Sequence, residues 1–102
     1  MKEITVADLK KMLDSNSNIT LVDVREPYEH EEYNLGGILI PLADIPGSSE
    51  KLKELGETEI ILYCRSGNRS MMAQKLLAIQ HGITNTCNLR GGVNAWRDFV
   101  RT

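Results

Sequence analysis

Residues 62–70 read Leu-Tyr-Cys-Arg-Ser-Gly-Asn-Arg-Ser. Cys64 stands where an apolar run, Ile60 to Tyr63, gives way to Arg65, Ser66, Gly67, Asn68, Arg69 and Ser70. The thiolate, not the thiol, is the nucleophilic form of cysteine, and nearby positive charge and hydrogen-bond donors favour it. Arg65 and Arg69 bring the charge. Ser66, Asn68 and Ser70 bring donors, and Gly67 permits a backbone twist or the close approach of a ligand. The segment after Ser70 has helical spacing, so its first amides and the positive end of its dipole would face the sulfur. Together these residues describe a cradle for an anion with a nucleophile at its floor. A cysteine that ends an apolar strand is often only a small hydrophobe. Cys87 suits that description; two arginines beside an inert thiol would be a poor choice, which sets Cys64 apart.

Such a cradle needs a frame, and the pattern of the chain supplies one. Thr5 and Asp8 have capping-box spacing, with Asp in place of the usual Glu. Val6, Leu9, Met12 and Leu13 then share one helical face, and Asn16-Ser17-Asn18 ends it. Ile19 to Val24 reads as a strand. Pro27 suits the first turn of a short helix over 28–33. Gly36-Gly37 breaks the pattern before a strand over 38–42, placed near an edge because Pro41 cannot donate to a ladder. Pro46-Gly47-Ser48 marks a turn, and 49–55 a short helix closed by Gly56. Glu59 to Tyr63 is the most buried-looking strand. Met72, Ala73, Leu76, Leu77 and Gln80 line one side of the next helix, which Gly82 closes. Thr86 to Leu89 is a short strand, and Gly91-Gly92 opens a last helix carrying Trp96 and Phe99. Strands separated by helices give an α/β fold with a mostly parallel sheet and helices on both faces. Ligands of such sheets bind beyond the carboxyl ends of the strands. Arg25, Cys64 and Arg90 all lie there, so they should collect along one edge.

The chain has 102 residues, enough for one domain over 1–102. A net charge of −2 gives no reason to expect nucleic-acid binding. No apolar run approaches about 18 residues, so no membrane span is expected. Met1-Lys2-Glu3-Ile4 lacks the apolar stretch of a signal peptide, which points to the cytoplasm and to reduced thiols. Two cysteines with His30 and His81 in no ligand pattern make no metal site, and no cofactor is expected.

Three stretches carry a resemblance. Leu21-Val22-Asp23-Val24-Arg25-Glu26-Pro27-Tyr28-Glu29, Cys64-Arg65-Ser66-Gly67-Asn68-Arg69-Ser70 and Leu89-Arg90-Gly91-Gly92-Val93-Asn94-Ala95-Trp96 are similar to the three signatures of rhodanese domains, in order and spacing. The resemblance implies a rhodanese-like fold of about five strands. It also implies a catalytic Cys64 that carries sulfane sulfur as a persulfide, held by the amides of residues 65–70. The donor would be a small anion such as thiosulfate or another persulfide, drawn by Arg65 and Arg69. The acceptor would be a thiol, including a thiol on a partner protein, or cyanide in the test tube. One departure stands out. Asn34-Leu35-Gly36-Gly37 occupies the place where many rhodaneses have Gly-His-Ile, and it looks similar to rhodanese domains joined to adenylyltransferases that activate sulfur-carrier proteins. Phosphatases of the same fold need Cys-x5-Arg, whereas Cys64 to Arg69 is Cys-x4-Arg, a smaller ring; arsenate reductases of this fold are set aside alongside them.

The remaining polar residues have plainer expectations. Asp23, Arg25 and Arg90 have two roles open to them, bracing the strand ends or lining the pocket. His30 is expected to be solvated, and His81 to sit favourably at a helix C-terminus. Met72 is expected in the core and Met71 at the pocket mouth or simply exposed.

Overall fold

The computed structural model describes residues 2–101. Five strands form one sheet: β1 (Glu3–Ile4), β2 (Ile19–Asp23), β3 (Ile38–Leu39), β4 (Glu59–Tyr63) and β5 (Thr86–Leu89). Their spatial order is β1-β5-β4-β2-β3, and every pairing is parallel. Four α-helices lie between them, α1 (Val6–Asp14), α2 (Pro27–Glu32), α3 (Ser49–Lys53) and α4 (Asn68–His81), and α5 (Gly92–Arg101) follows β5.

The central strand explains the layering. Side chains alternate along a strand, so Ile60, Leu62 and Cys64 point to one face with Leu52, Ala73 and Leu77 of α3 and α4. Ile61 and Tyr63 point to the other, with Leu9 and Val93 of α1 and α5. Cys64 is therefore committed to the α4 side by the parity of its position. The register Asp23↔Tyr63 between β2 and β4 brings Arg25 and the Cys64 loop to the same end of the sheet, just past the strand ends.

Local signals act as their chemistry dictates. The Thr5–Asp8 capping box closes in both directions: the Asp8 amide donates to Thr5 Oγ1 at 3.1 Å and the Thr5 amide to Asp8 Oδ2 at 3.2 Å. Pro27 opens α2, and Glu29 Oε1 accepts from the Glu26 amide at 3.1 Å. The strand expected over 38–42 stops at Leu39, at the sheet edge; past Pro41, residues Leu42–Asp44 turn into a 3-10 helix. The two residues of β1 are too few to show alternation and escaped the sequence reading.

The buried face of α4 differs from expectation. It is Ser70, Ala73, Gln74 and Leu77. Met72 is 57% exposed, not in the core, and Gln80 is also exposed. The face is rotated because two polar residues have buried partners. Gln74 Nε2 donates to the carbonyls of Lys2 at 2.8 Å and Thr86 at 3.2 Å, tying α4 to the sheet. On α1, Leu13 sits at the margin, 37% exposed. Among the described residues no helix is long and apolar enough to cross a membrane.

Candidate active site

Cys64 follows β4 directly, and its side chain is enclosed by the loop that leads into α4. Its Sγ accepts from the Gly67 amide at 3.1 Å and the Ser70 amide at 3.4 Å. Gly67 is the N-cap of α4 and holds φ at +107°, a left-handed value that suits glycine. The sulfur thus sits at the N-terminus of a 14-residue helix, where free amides and the dipole favour negative charge. Ser70 Oγ lies 3.4 Å from Sγ and also touches Asn88 Oδ1 and, at 3.2 Å, the Gly67 carbonyl. Burial pushes the Cys64 thiol up, but the Ser70 hydroxyl and the amides of Ser70, Gly67 and Ser66 outweigh it, and its pKa lies below the ordinary cysteine value. The residue is only 1% exposed, so an incoming group must reach the sulfur through this ring of donors.

The loop and the strand end beside it are held at three places. The first hold, at the end of β2, is the buried pair Asp23–Arg25. Asp23 accepts from the Arg25 amide at 3.0 Å, Nε at 2.9 Å and Nη2 at 2.8 Å. His30 Nδ1 lies 2.8 Å from Asp23 Oδ2. An ionised carboxylate can only accept, so Nδ1 carries the proton. Burial alone would raise the Asp23 pKa; its bonds from Arg25 and His30 overcome this and hold it below the usual carboxylate value. His30, expected to be solvated, is instead part of this network, because the first turn of α2 folds back over the end of β2. Arg25 Nη2 also donates to the Tyr33 carbonyl at 2.6 Å.

The second hold is an ion pair. Arg69 donates Nη1 and Nη2 to the two oxygens of Glu29 at 2.7 and 3.0 Å, a fork-on-fork contact. The hydrogen bonds from Arg69, with the Glu26 amide, bring the Glu29 pKa down to about 2 against its partial burial. The charge of Arg69 is therefore largely spent within the protein. Arg65 is exposed and carries no ion pair among the described residues, so it is the loop cation free to meet an anion.

The third hold is α5. The Val93 amide donates to the Cys64 carbonyl at 2.9 Å and the Asn94 amide to the Arg65 carbonyl at 3.0 Å. Gly92 makes this approach possible. At φ +56°, a Cβ there would lie 2.3 Å from the Cys64 carbonyl oxygen.

Residues 5–99 match the family model described as the rhodanese-like domain. The chain belongs to the rhodanese-like domain family. It is 37% identical to a putative sulfurtransferase, YtwF, of Bacillus subtilis, over 94% of this chain and 90% of that protein. It is 34% identical to a thiosulfate:glutathione sulfurtransferase of Saccharomyces cerevisiae, covering 87% and 73%. A crystal structure of a rhodanese-like domain protein from Staphylococcus aureus superimposes with a TM-score of 0.78 at 33% identity, covering 94% and 91%. The chain spans 26% of a probable molybdopterin-synthase adenylyltransferase of Pyropia yezoensis and 50% of a putative sulfur carrier protein, YrkF, of Bacillus subtilis.

Within this rhodanese fold, the residues singled out in the sequence do not all converge. Cys64 to Ser70 form the loop, and Asp23 and Arg25 brace each other at the end of β2. Arg90 turns away: its Nε and Nη2 reach Glu3 on β1 at 2.9 and 2.8 Å, bracing the sheet edge rather than facing the pocket. Cys87 lies buried with its thiol 2.8 Å from Glu59 Oε1, and burial with that carboxylate pushes its pKa up to about 12. Both cysteines are free. Glu29, His30 and Asn88 were missed as site residues. Asn88 carried a readable signal, a polar side chain between Cys87 and Leu89; Asn88 Nδ2 donates to the Gly67 carbonyl at 3.3 Å. Glu29 lay inside the first signature, but its partner is 40 positions away. Among the described residues no cluster of His, Cys, Asp and Glu could hold a metal ion.

Proposed function

We propose that this chain is a sulfurtransferase that carries sulfane sulfur as a persulfide on Cys64. The observation that carries the reading is the Cys64 sulfur held by the Gly67 and Ser70 amides at the N-terminus of α4. In the first step the Cys64 thiolate attacks the outer sulfur of thiosulfate. An S–S bond forms to Sγ, the sulfur–sulfur bond of thiosulfate breaks, and its electron pair leaves with sulfite. The persulfide anion then occupies the amide ring, as the thiolate did. In the second step an acceptor thiolate takes the outer sulfur and Cys64 leaves as thiolate again. Two displacements through a covalent intermediate give ping-pong kinetics. Arg65 attracts the anionic donor, while Arg69 shapes the loop through Glu29. Phosphate transfer fits less well. The Cys-x4-Arg loop is short, and Arg69 is clasped sideways by Glu29 instead of standing free over the ring.

A second reading is relay of the persulfide to another protein, with little turnover on small molecules. It is favoured by the relatives of which this chain spans only a part, a sulfur carrier protein and an adenylyltransferase. Both readings use Cys64. Intact mass spectrometry separates them: the reduced protein is incubated with thiosulfate, freed of excess and weighed beside Cys64→Ala. A gain of one sulfur atom, absent in the variant and reversed by cyanide or dithiothreitol, is expected. No gain would overturn the thiosulfate reading and leave a persulfide donor such as a cysteine desulfurase as the substrate to try.

A further inference from the structure

Asn88 sits behind the Cys64 loop, and its bonds there do more than pack β5 against α4. It stands opposite Leu62 in the register of β5 on β4. Leu62 points to the face that Cys64 enters, while Cys87 and Leu89, on either side of Asn88, pack on the other. Asn88 therefore points to the face of the nucleophile, where it is 2% exposed. Its Nδ2 donates to the Gly67 carbonyl at 3.3 Å. A carbonyl can only accept, so this bond fixes the amide: the donor end faces Gly67 and the Oδ1 end faces Ser70 Oγ. Ser70 is fully buried and has one hydroxyl proton. Three acceptors surround that hydroxyl: Asn88 Oδ1, the Gly67 carbonyl at 3.2 Å and Cys64 Sγ at 3.4 Å. Which of them holds the proton depends on the state of the sulfur. An ionised acceptor takes a hydrogen bond roughly twice as strong as a neutral one. A thiolate at Sγ therefore draws the hydroxyl away from Asn88. A neutral divalent sulfur is a weak acceptor and leaves it there.

We propose that Asn88 is a positioning residue that holds the Ser70 hydroxyl away from Sγ while Cys64 carries sulfur, and so retains the persulfide on the protein. The inference deepens the persulfide reading above and rests on it. In the loaded state Sγ is bonded to carbon and to the outer sulfur, and the negative charge lies on the outer sulfur. Ser70 then donates to Asn88 Oδ1. On discharge an acceptor thiolate attacks the outer sulfur, a new S–S bond forms on the acceptor, the bond from Sγ breaks, and its electron pair returns to Sγ as thiolate. No proton changes hands; the Ser70 hydroxyl turns from Asn88 to Sγ. That turn takes from Oδ1, a buried acceptor, its donor among the described residues, and an unmet buried acceptor disfavours the state that leaves it so. The thiolate is thereby disfavoured and the persulfide favoured. Without an acceptor at position 88 only the Gly67 carbonyl would compete for the hydroxyl, and Cys64 would become both more acidic and a better leaving group. Gly67 is not set loose by the loss, since its carbonyl also accepts the Met71 amide at 3.2 Å.

The test uses Asn88→Leu, close in size and without polar atoms, with Asn88→Ala as a second variant should the leucine chain not fold. Each is made in the wild-type chain and in Ser70→Ala. The pH midpoint of Cys64 alkylation by iodoacetamide is measured first. Removing the Asn88 amide should lower it by about 0.5–1 unit, the size of one neutral hydrogen bond. In Ser70→Ala, with no hydroxyl to redirect, it should not fall. The direction separates this role from a merely structural one, because a loosened loop would take amides from the thiolate and raise the midpoint. Next, protein loaded with thiosulfate or inorganic polysulfide is discharged by 2-mercaptoethanol in a single turnover followed by intact mass. Discharge should quicken by about two- to fivefold in the Asn88 variants, less than the midpoint shift because the charge on Sγ is only partly formed in the transition state. The gain should again require Ser70. A midpoint that rises or stays, a discharge that slows or stays, or equal shifts in both backgrounds would overturn the proposal while leaving the persulfide reading intact. Failure of both donors to load the wild type would overturn the persulfide reading and the retention with it.

Discussion

Gly92→Ala tests whether α5 holds the Cys64 loop in place. Three costs combine. At φ +56° an alanine is strained by about 1 kcal/mol. Its Cβ would meet the Cys64 carbonyl oxygen at 2.3 Å and the Arg65 carbonyl carbon and oxygen at 2.8 Å. These are backbone atoms that cannot swing aside, so α5 and the loop must part by roughly 1 Å to regain ordinary contact. That separation weakens the bonds from the Val93 and Asn94 amides, each worth about 1 kcal/mol. With the overpacking itself, the sum is about 3–5 kcal/mol, against a total stability of roughly 5–15 kcal/mol for a natural domain. Gly82→Ala is the internal control. Gly82 has φ +65° but nothing within 4 Å of its Cβ, so it should show the backbone strain alone, about 1 kcal/mol. In urea, Gly92→Ala should lower the unfolding midpoint by about 2 M and Gly82→Ala by much less. Alkylation of Cys64 by iodoacetamide at neutral pH should slow in Gly92→Ala only. Equal midpoint shifts for the two variants would refute the claim that α5 packs its first turn onto the cysteine's own carbonyl.

Three further outcomes follow from the hydrogen bonds. Glu29→Gln should cost about 1 kcal/mol at neutral pH, discounted for the partial exposure of the pair. The folded carboxyl is depressed to about 2 from 4.5, so the wild-type advantage is full above about pH 4.5 and fades as pH falls toward 2; urea midpoints across that window check it, and a gap that persists at pH 2 would contradict it. Ser70→Ala should raise the pH midpoint of Cys64 alkylation, since it removes a donor to the thiolate; an unchanged midpoint would mean that the single hydroxyl proton goes to Asn88 instead. Tyr63→Phe strips the hydroxyl that donates to the Gly36 carbonyl at 2.9 Å and accepts from the Leu35 amide at 3.1 Å. It should cost about 1–2 kcal/mol by thermal or urea unfolding, and remove a phenol whose burial pushes its pKa up to about 12 from the ultraviolet titration.

What could be read beforehand was whatever depends on neighbours in the chain. The Thr5–Asp8 cap, Pro27 at the head of α2 and the apolar strand β4 are settled within a few residues. So is the cradle, because the strand, the loop and the helix N-terminus that compose it are consecutive. What escaped depends on pairing across the fold. His30 looked solvated among Glu29, Glu31 and Glu32, and only the return of α2 over β2 brings it to Asp23. Met72 and Gln80 were assigned to the packed side of α4 on apolar spacing, but the side that packs holds Ser70 and Gln74, whose partners are a strand residue and two carbonyls. Arg90 stood in the right place along the chain, and the edge strand β1, invisible at two residues, drew its side chain to Glu3.

The grip of α5 on the loop also bears on how the protein is born. On the ribosome Cys64 is made well before Asn88, Gly92, Val93 and Asn94, the residues that fix Gly67 and the cysteine's own carbonyl. Chains emerge from the N-terminus, so a nascent chain that ends before Gly92 lacks the α5 contacts to the Cys64 and Arg65 carbonyls. The loop is expected to reach its full grip on the sulfur only once α5 has docked. A chain halted before Gly92 should therefore react with iodoacetamide no faster than a free cysteine.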